Sequence, residues 1–131
     1  MKKFLIVLLI FISILFVLGL SCSILLTKQM QESAERLSAL EEPDLVSVKD
    51  GTYIGREETP LVKVEVEVTV KSHKIASIEI KRHDNGKGKP AKAIIDAMER
   101  NNTTDVELVT GATMSSLVIR AAVINALSQG K

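Results

Sequence analysis

Val62-Lys63-Val64-Glu65-Val66-Glu67-Val68-Thr69-Val70-Lys71 is the stretch that decides the fold. Valine recurs at every second position, and successive side chains of a strand point to opposite faces. One face is therefore apolar, while the Lys, Glu and Thr between the valines make a solvated one. This is the pattern of an antiparallel sheet that packs on a core with one side only. Ser72-His73-Lys74 is a short polar connection. Ile75, Ile78 and Ile80 then carry a second strand, which makes a hairpin.

Upstream, Asp50-Gly51 signals a turn, Thr52-Tyr53-Ile54 a short strand, and Pro60 ends the loop after it. Downstream, His83-Asp84-Asn85-Gly86-Lys87-Gly88-Lys89 is a loop rich in turn formers. Pro90 opens a helix at a position where its missing N–H costs nothing. Ala93, Ile94, Ala97 and Met98 form the apolar stripe of that helix, and Asn101-Asn102 closes it. Thr103 to Val109 is an extended approach. A last helix is expected from about Ser115 to Ser128, with Leu117, Ile119, Val123, Ile124 and Leu127 as its apolar content. The expected fold is α+β: a small antiparallel sheet packed with two helices, preceded by an N-terminal transmembrane helix.

Residues 1–26 stand apart. Lys2 and Lys3 are the only charges, and from Phe4 to Leu26 most positions are Leu, Ile, Val or Phe. A bilayer core takes about 20 apolar residues in helix, so the run is long enough to anchor the chain. A cleaved signal peptide and a lipoprotein modified at Cys22 are the other readings. A signal wants a shorter apolar core, and Leu20 stands one place too close to Cys22 for the usual lipoprotein pattern. Lys2 and Lys3 favour a cytoplasmic N-terminus, which puts the rest of the chain on the extracytoplasmic side. Residues 27–49, with Met30, Ala34, Leu37 and Leu40 at helical spacing, are expected to form a stalk that Pro43 breaks. Residues 50–131 form the domain.

Leaving out Lys2 and Lys3, 15 basic side chains stand against 16 acidic ones. That is no nucleic-acid footprint, and the absence of Trp removes the usual platform for stacking on bases. Cys22 is the only cysteine, so neither an internal disulfide nor a cysteine metal cluster can form.

The chemistry concentrates in Val109-Thr110-Gly111-Ala112-Thr113-Met114-Ser115-Ser116. Four hydroxyls and a glycine fall at the start of a helix. A helix N-terminus presents unpaired N–H groups and a partial positive charge, which suits a phosphate. Gly111 lets the backbone approach a ligand. The competing reading is structural: Ser and Thr before a helix are ordinary N-caps, and on these facts alone capping is favoured. The lysine of a Walker loop is missing.

The stretch resembles the FMN-binding domain family, found in the flavin-carrying subunits of Rnf complexes and of sodium-translocating NADH:quinone reductase, and in small membrane-attached proteins. The family's mark, Ser/Thr-Gly-Ala-Thr, one residue, then Ser or Thr, is met by Thr110 to Ser116. The likeness extends over residues 50–129 and takes in Asp50-Gly51-Thr52-Tyr53, the valine strand, His83 with Asn85-Gly86-Lys87-Gly88, and Ala121 to Leu127. It implies FMN as cofactor, held by Thr110, Gly111, Ala112, Thr113, Met114, Ser115 and Ser116, with His83 near the ring or the phosphate, against the structural alternative that His83 merely ends a strand. It also implies a flavin transferase that links FMN through its phosphate to Thr113. The transferase-recognised motif commonly has Asp six residues before that Thr; here Glu107 stands there, with Asp105 two places earlier.

No residue pair resembles a general acid with its base, or a nucleophile with its base. The resemblance therefore implies an electron carrier that works with membrane redox partner proteins rather than a stand-alone enzyme. The alternatives are a non-catalytic flavin-binding or protein-docking module and an accessory subunit of a membrane redox complex. His73 in its turn is expected to be solvated, and Tyr53 to be a core residue. Met114 can flank the ring or fill a gap, and Lys87 and Lys89 can attract phosphate or keep a loop soluble.

Overall fold

The structure, a computed structural model, describes residues 1–84 and 88–131, without the side chains of residues 88–91. It divides into two compact units, Met1–Glu32 and Ser33–Lys131. The element order is α1 (Lys2–Ser38), a 3-10 turn (Leu45–Ser47), β1 (Gly51–Glu58), β2 (Lys63–Lys71), β3 (Lys74–Asp84), α2 (Gly88–Asn101) and α3 (Thr113–Ser128). This is an α+β architecture.

The first unit is the apolar part of α1, a helix long and apolar enough to cross a membrane once, with a mean hydropathy of 3.1 over its best window. Its hydroxyls do not oppose such a span. Ser21, Ser23 and Thr27 each donate to the carbonyl four residues back, and Ser13 to the one three back. Each polar group is thus satisfied inside the helix, as hydrocarbon requires.

In the second unit the sheet has the order β1-β2-β3, antiparallel throughout. Val64, Val66, Val68 and Val70 are buried on one face with Ile75 and Ile78 of β3. Each such side chain contributes about 1.5–3 kcal/mol by leaving water. Lys63, Glu65, Glu67 and Thr69 lie on the other face, where Arg56–Glu65 and Lys81–Glu67 pair across strands. β1 is longer than Thr52–Ile54 because its pairing with β2 continues to Glu58 opposite Lys63. Ser72 and His73 both have positive φ, so the β2–β3 connection is a tight two-residue turn and His73 is exposed.

α3 lies across β1 and β2 on the apolar face and is buried on nearly every side. Gly55 permits the close approach: a Cβ there would come within 1.8 Å of the Ala122 carbonyl oxygen. The far side of α3 is closed by chain on either side of the sheet. Arg120 donates to the Leu40 carbonyl, Lys49 N–H to the Gly130 carbonyl, and Val109 N–H to the Ser116 hydroxyl. Residues 33–49 are therefore packed on the domain: Leu37 and Val48 belong to its core, and Glu42 accepts hydrogen bonds from the Thr103 hydroxyl and the Thr104 N–H, both at 2.6 Å.

Both edges of the sheet are occupied by helix side chains. Asn125 of α3 and Gln129 at its C-cap donate to the carbonyls of Arg56 and Ile54 on β1. Glu99 of α2 and Asn102 just after it accept from the amides of Ile78 and Ile75 on β3. The contacts of Gln129 with Ile54 and of Asn125 with Arg56 run α3 antiparallel to β1. The N-terminus of α3 therefore lies toward the end of the sheet that carries Glu58, Lys63 and, opposite Val64, His83.

Candidate functional site

The turn before α3 is built by Gly111 and Ser116. Gly111 has φ +79°, the left-handed region that side chains avoid, although a Cβ there would meet nothing within 4 Å. The glycine is needed for its backbone conformation, not for space. Ala112 N–H donates to the Val109 carbonyl at 3.0 Å. The buried Ser116 hydroxyl donates to the Ala112 carbonyl at 2.8 Å and accepts from Val109 N–H at 3.2 Å. One hydroxyl thus holds both limbs of the turn.

The N-cap of α3 is Ala112, and no side chain caps it. The hydroxyl-capping reading of this stretch fails on that point, because the helix begins at Thr113, two residues earlier than Ser115. An uncapped helix start leaves first-turn N–H groups without partners. Thr113 and Met114 supply such groups beside the partial positive charge of the helix end. The side chains of Thr110 and Thr113 are exposed. Neither hydroxyl has a hydrogen-bond partner among the described residues. Backbone donors, dipole and two free hydroxyls in one place are a donor set that fits a phosphate.

The remaining residues of the motif play other parts. Ser115 and Ser116 are buried, and Met114 is half-buried against the core. Asp105 and Glu107 are exposed, while Val106 and Leu108 between and after them turn inward. The extended approach therefore displays its two carboxylates on one outer side.

His83 occupies the same end of the sheet, on the strand face that carries Val64. Both of its ring nitrogens are buried and have no hydrogen-bond partner among the described residues. A buried imidazole has at least one donor to satisfy, so a ligand group at this end would meet a real need. Next to it, the hydrogen bond from Arg82 holds the Asp84 carboxyl below its ordinary range. Asn85-Gly86-Lys87 lie outside the described residues, and so does the side chain of Lys89.

Tyr53 is at the opposite end. Its hydroxyl donates to the Lys49 carbonyl at 2.8 Å and its ring abuts Gly130. It is half-buried against the core, remote from the turn. A cavity of about 380 Å³ opens beside Arg56, Glu58, Lys63, Glu65 and Arg82 and includes no residue of the turn. The sequence did not point to it: Lys63 and Glu65 read there as the solvated face of the valine strand, and Arg56, Glu58 and Arg82 carried no signal. They pair with one another, Arg56 with Glu65 and Lys63 with Glu58. Among the described residues no group of three metal-ligating side chains converges.

A family model described as an FMN-binding domain matches residues 62–128, a little over half of the chain. The match takes in β2, β3, α2, the turn and α3. No curated protein matches the chain.

Proposed function

The chain belongs to the FMN-binding domain family, with FMN as its cofactor, and from that premise we propose that it is a membrane-anchored electron carrier with its FMN held at the turn before α3. The observation that carries this reading is the open start of α3: an alanine N-cap, N–H groups of Thr113 and Met114 with no partner among the described residues, and two exposed hydroxyls. Thr110, Gly111, Ala112, Thr113 and Met114 frame the phosphate, Ser115 and Ser116 hold the turn behind it, and His83 offers its ring nitrogens toward the bound nucleotide. When bound, FMN supplies reversible electron transfer; the protein positions it and tunes its potential.

The proposal extends to the bond and the place. Thr113 is exposed at the first position of the helix, where an external flavin transferase can reach its hydroxyl. Its Oγ is the atom a phosphoester would use, and the helix N–H groups would stabilise the resulting charge. The length and apolar character of the N-terminal helix support a single membrane span, and Lys2 and Lys3 support an extracytoplasmic domain by the positive-inside rule. The physiological partners on this reading are membrane redox proteins.

The test is purification of the full chain after co-expression with a flavin transferase. The expected product is yellow, and its flavin fluorescence survives a denaturing gel. Thr113→Val abolishes the gel signal while leaving the fold intact, because the side chain is exposed. Reduction of the bound flavin by a membrane electron donor separates a carrier from a module that only binds. A colourless, flavin-free protein under all conditions defeats the proposal.

A further inference from the structure

The chain from Thr103 to Val109 lies in neither helix nor strand, so no ladder fixes its position. It leads from the end of α2 to the turn that carries Thr110 and Thr113. Two side chains hold its ends. At the far end Val109 N–H donates to the Ser116 hydroxyl of α3. At the near end both oxygens of Glu42 are engaged, one by the Thr103 hydroxyl and one by the Thr104 N–H, each at 2.6 Å. The Thr103 hydroxyl in turn accepts from Asp105 N–H at 3.0 Å. Glu42 is itself tied to α3, because the Leu40 carbonyl two residues before it accepts from Arg120. Ser116 and Arg120 stand about one turn apart on α3 and share a face. The links from Arg120 to Leu40, from Glu42 to Thr104 and from Val109 to Ser116 therefore close a ring that leaves α3 and returns to it. Stability does not account for this ring. The Thr104 hydroxyl and the Arg120 Nε are buried and have no hydrogen-bond partner among the described residues, and such groups cost free energy that apolar side chains of the same shape would not.

We infer that Glu42 is a positioning residue for the cofactor turn: it holds the approach from Thr103 to Val109 in place, so that Thr110 and Thr113 meet the phosphate. The inference rests on the site reading above. Glu42 lies ahead of residues 62–128, in the segment that follows the apolar helix, so the site depends on a residue that its own motif does not contain. A carboxylate suits the task because it accepts at two oxygens at once, and Glu42 meets two donors, a hydroxyl and an amide. Val106 and Leu108 also press the approach onto the core. Apolar contact has no direction, however, and leaves the approach free to slide along α3. The hydrogen bonds at its two ends set where the turn sits.

Hydrogen exchange and flavin uptake, both measured on the full chain in detergent, test this. Glu42→Gln turns one acceptor into a donor and cannot serve both partners. Relative to the flavin-free parent, residues 103–112 of the variant are expected to exchange about tenfold faster or more, with residues 63–71 of β2 unchanged. Flavin bound per chain, read by absorbance, is expected to fall about fivefold or more. Thr103→Val cuts the ring from its other side and is expected to act alike, while Thr103→Ser keeps the hydroxyl and behaves as the parent. Glu42→Gln adds little once Thr103→Val is present. Leu37→Ala weakens the core at a site outside the ring and is the control. Faster exchange in both segments alike, as in Leu37→Ala, makes Glu42 merely structural and overturns the inference. Unchanged exchange at 103–112 overturns it too, as does faster exchange there with the parent's flavin uptake. A parent chain that takes up no flavin defeats the underlying site reading instead, and the exchange pattern then decides separately whether Glu42 holds the turn.

Discussion

Gly55 and Ala122 meet backbone to backbone: a Cβ on Gly55 would lie 1.8 Å from the Ala122 carbonyl oxygen and 2.7 Å from the Ala126 nitrogen. Overpacking costs about 1–3 kcal/mol where side chains can yield. Here the obstacle is the helix backbone itself, so α3 would have to lift off the sheet. Gly55→Ala is expected to leave the domain without a cooperative thermal transition, measured by circular dichroism. A melting point within a few degrees of the parent would show that the helix has room to move.

The Ser116 hydroxyl joins Val109 N–H to the Ala112 carbonyl. Ser116→Ala leaves that amide without its partner in a half-buried position, at a cost of about 1–3 kcal/mol. The cost falls on the turn that carries Thr110 and Thr113. Flavin incorporation is therefore expected to drop further than the lowered stability explains. Comparison with an equally destabilising variant far from the turn, such as Leu37→Ala, checks this: equal incorporation in the two would make Ser116 merely structural.

Glu107 is exposed six residues before Thr113, with its carboxylate one methylene further out than the commoner Asp. If the transferase reads that position by reach, Glu107→Asp raises the fraction of chain carrying covalent flavin and leaves the melting temperature unchanged. Gel fluorescence normalised to protein measures it. No gain would count against a transferase that reads this position by reach.

Residues 33–49 carry Leu37 and Val48 into the core and Glu42 onto the Thr103-Thr104 backbone. Removing Leu37 and Val48 forfeits about 3–6 kcal/mol of apolar burial, a large part of the roughly 5–15 kcal/mol that holds a domain together. A chain beginning at Ser33 is expected to fold and one beginning at Asp50 to lack a cooperative urea transition. Similar midpoints for the two would contradict the packing described.

Ser72 and His73 adopt φ of 52° and 60°, conformations that Asn-Gly takes with less strain. Replacing the pair with Asn-Gly is expected to stabilise the hairpin by about 0.5–2 kcal/mol, read as a rise in urea midpoint. Both residues are exposed, so no contact is lost.

The valine strand, its hairpin partner and the two later helices were legible because period two and period 3.6 are local signals. What was not local was not legible. Leu37 and Leu40 have helical spacing in any context, and spacing does not say what the helix lies against. Residues 27–49 therefore read as a stalk, while the structure packs Ser33 to Lys49 on the domain. The site divided in the same way. The hydroxyls from Thr110 to Ser116 were visible in the sequence. That Ser116 turns inward, and that the N-cap is an alanine, depends on where the helix begins, which a shift of two residues decides. His83 stood out only through the family likeness, whereas its partnerless ring nitrogens are a feature of the fold.

The side chains on the two outer strands have a consequence for crowding. A three-stranded sheet invites a fourth strand, from an unfolded neighbour or an extended peptide, wherever its margin offers free amides and carbonyls. Here the positions at Ile54, Arg56, Ile75 and Ile78 are already satisfied by Gln129, Asn125, Asn102 and Glu99. A visiting strand would first have to displace those side chains from α3 or from the end of α2. Copies of the domain can therefore collide often at these margins without zipping together.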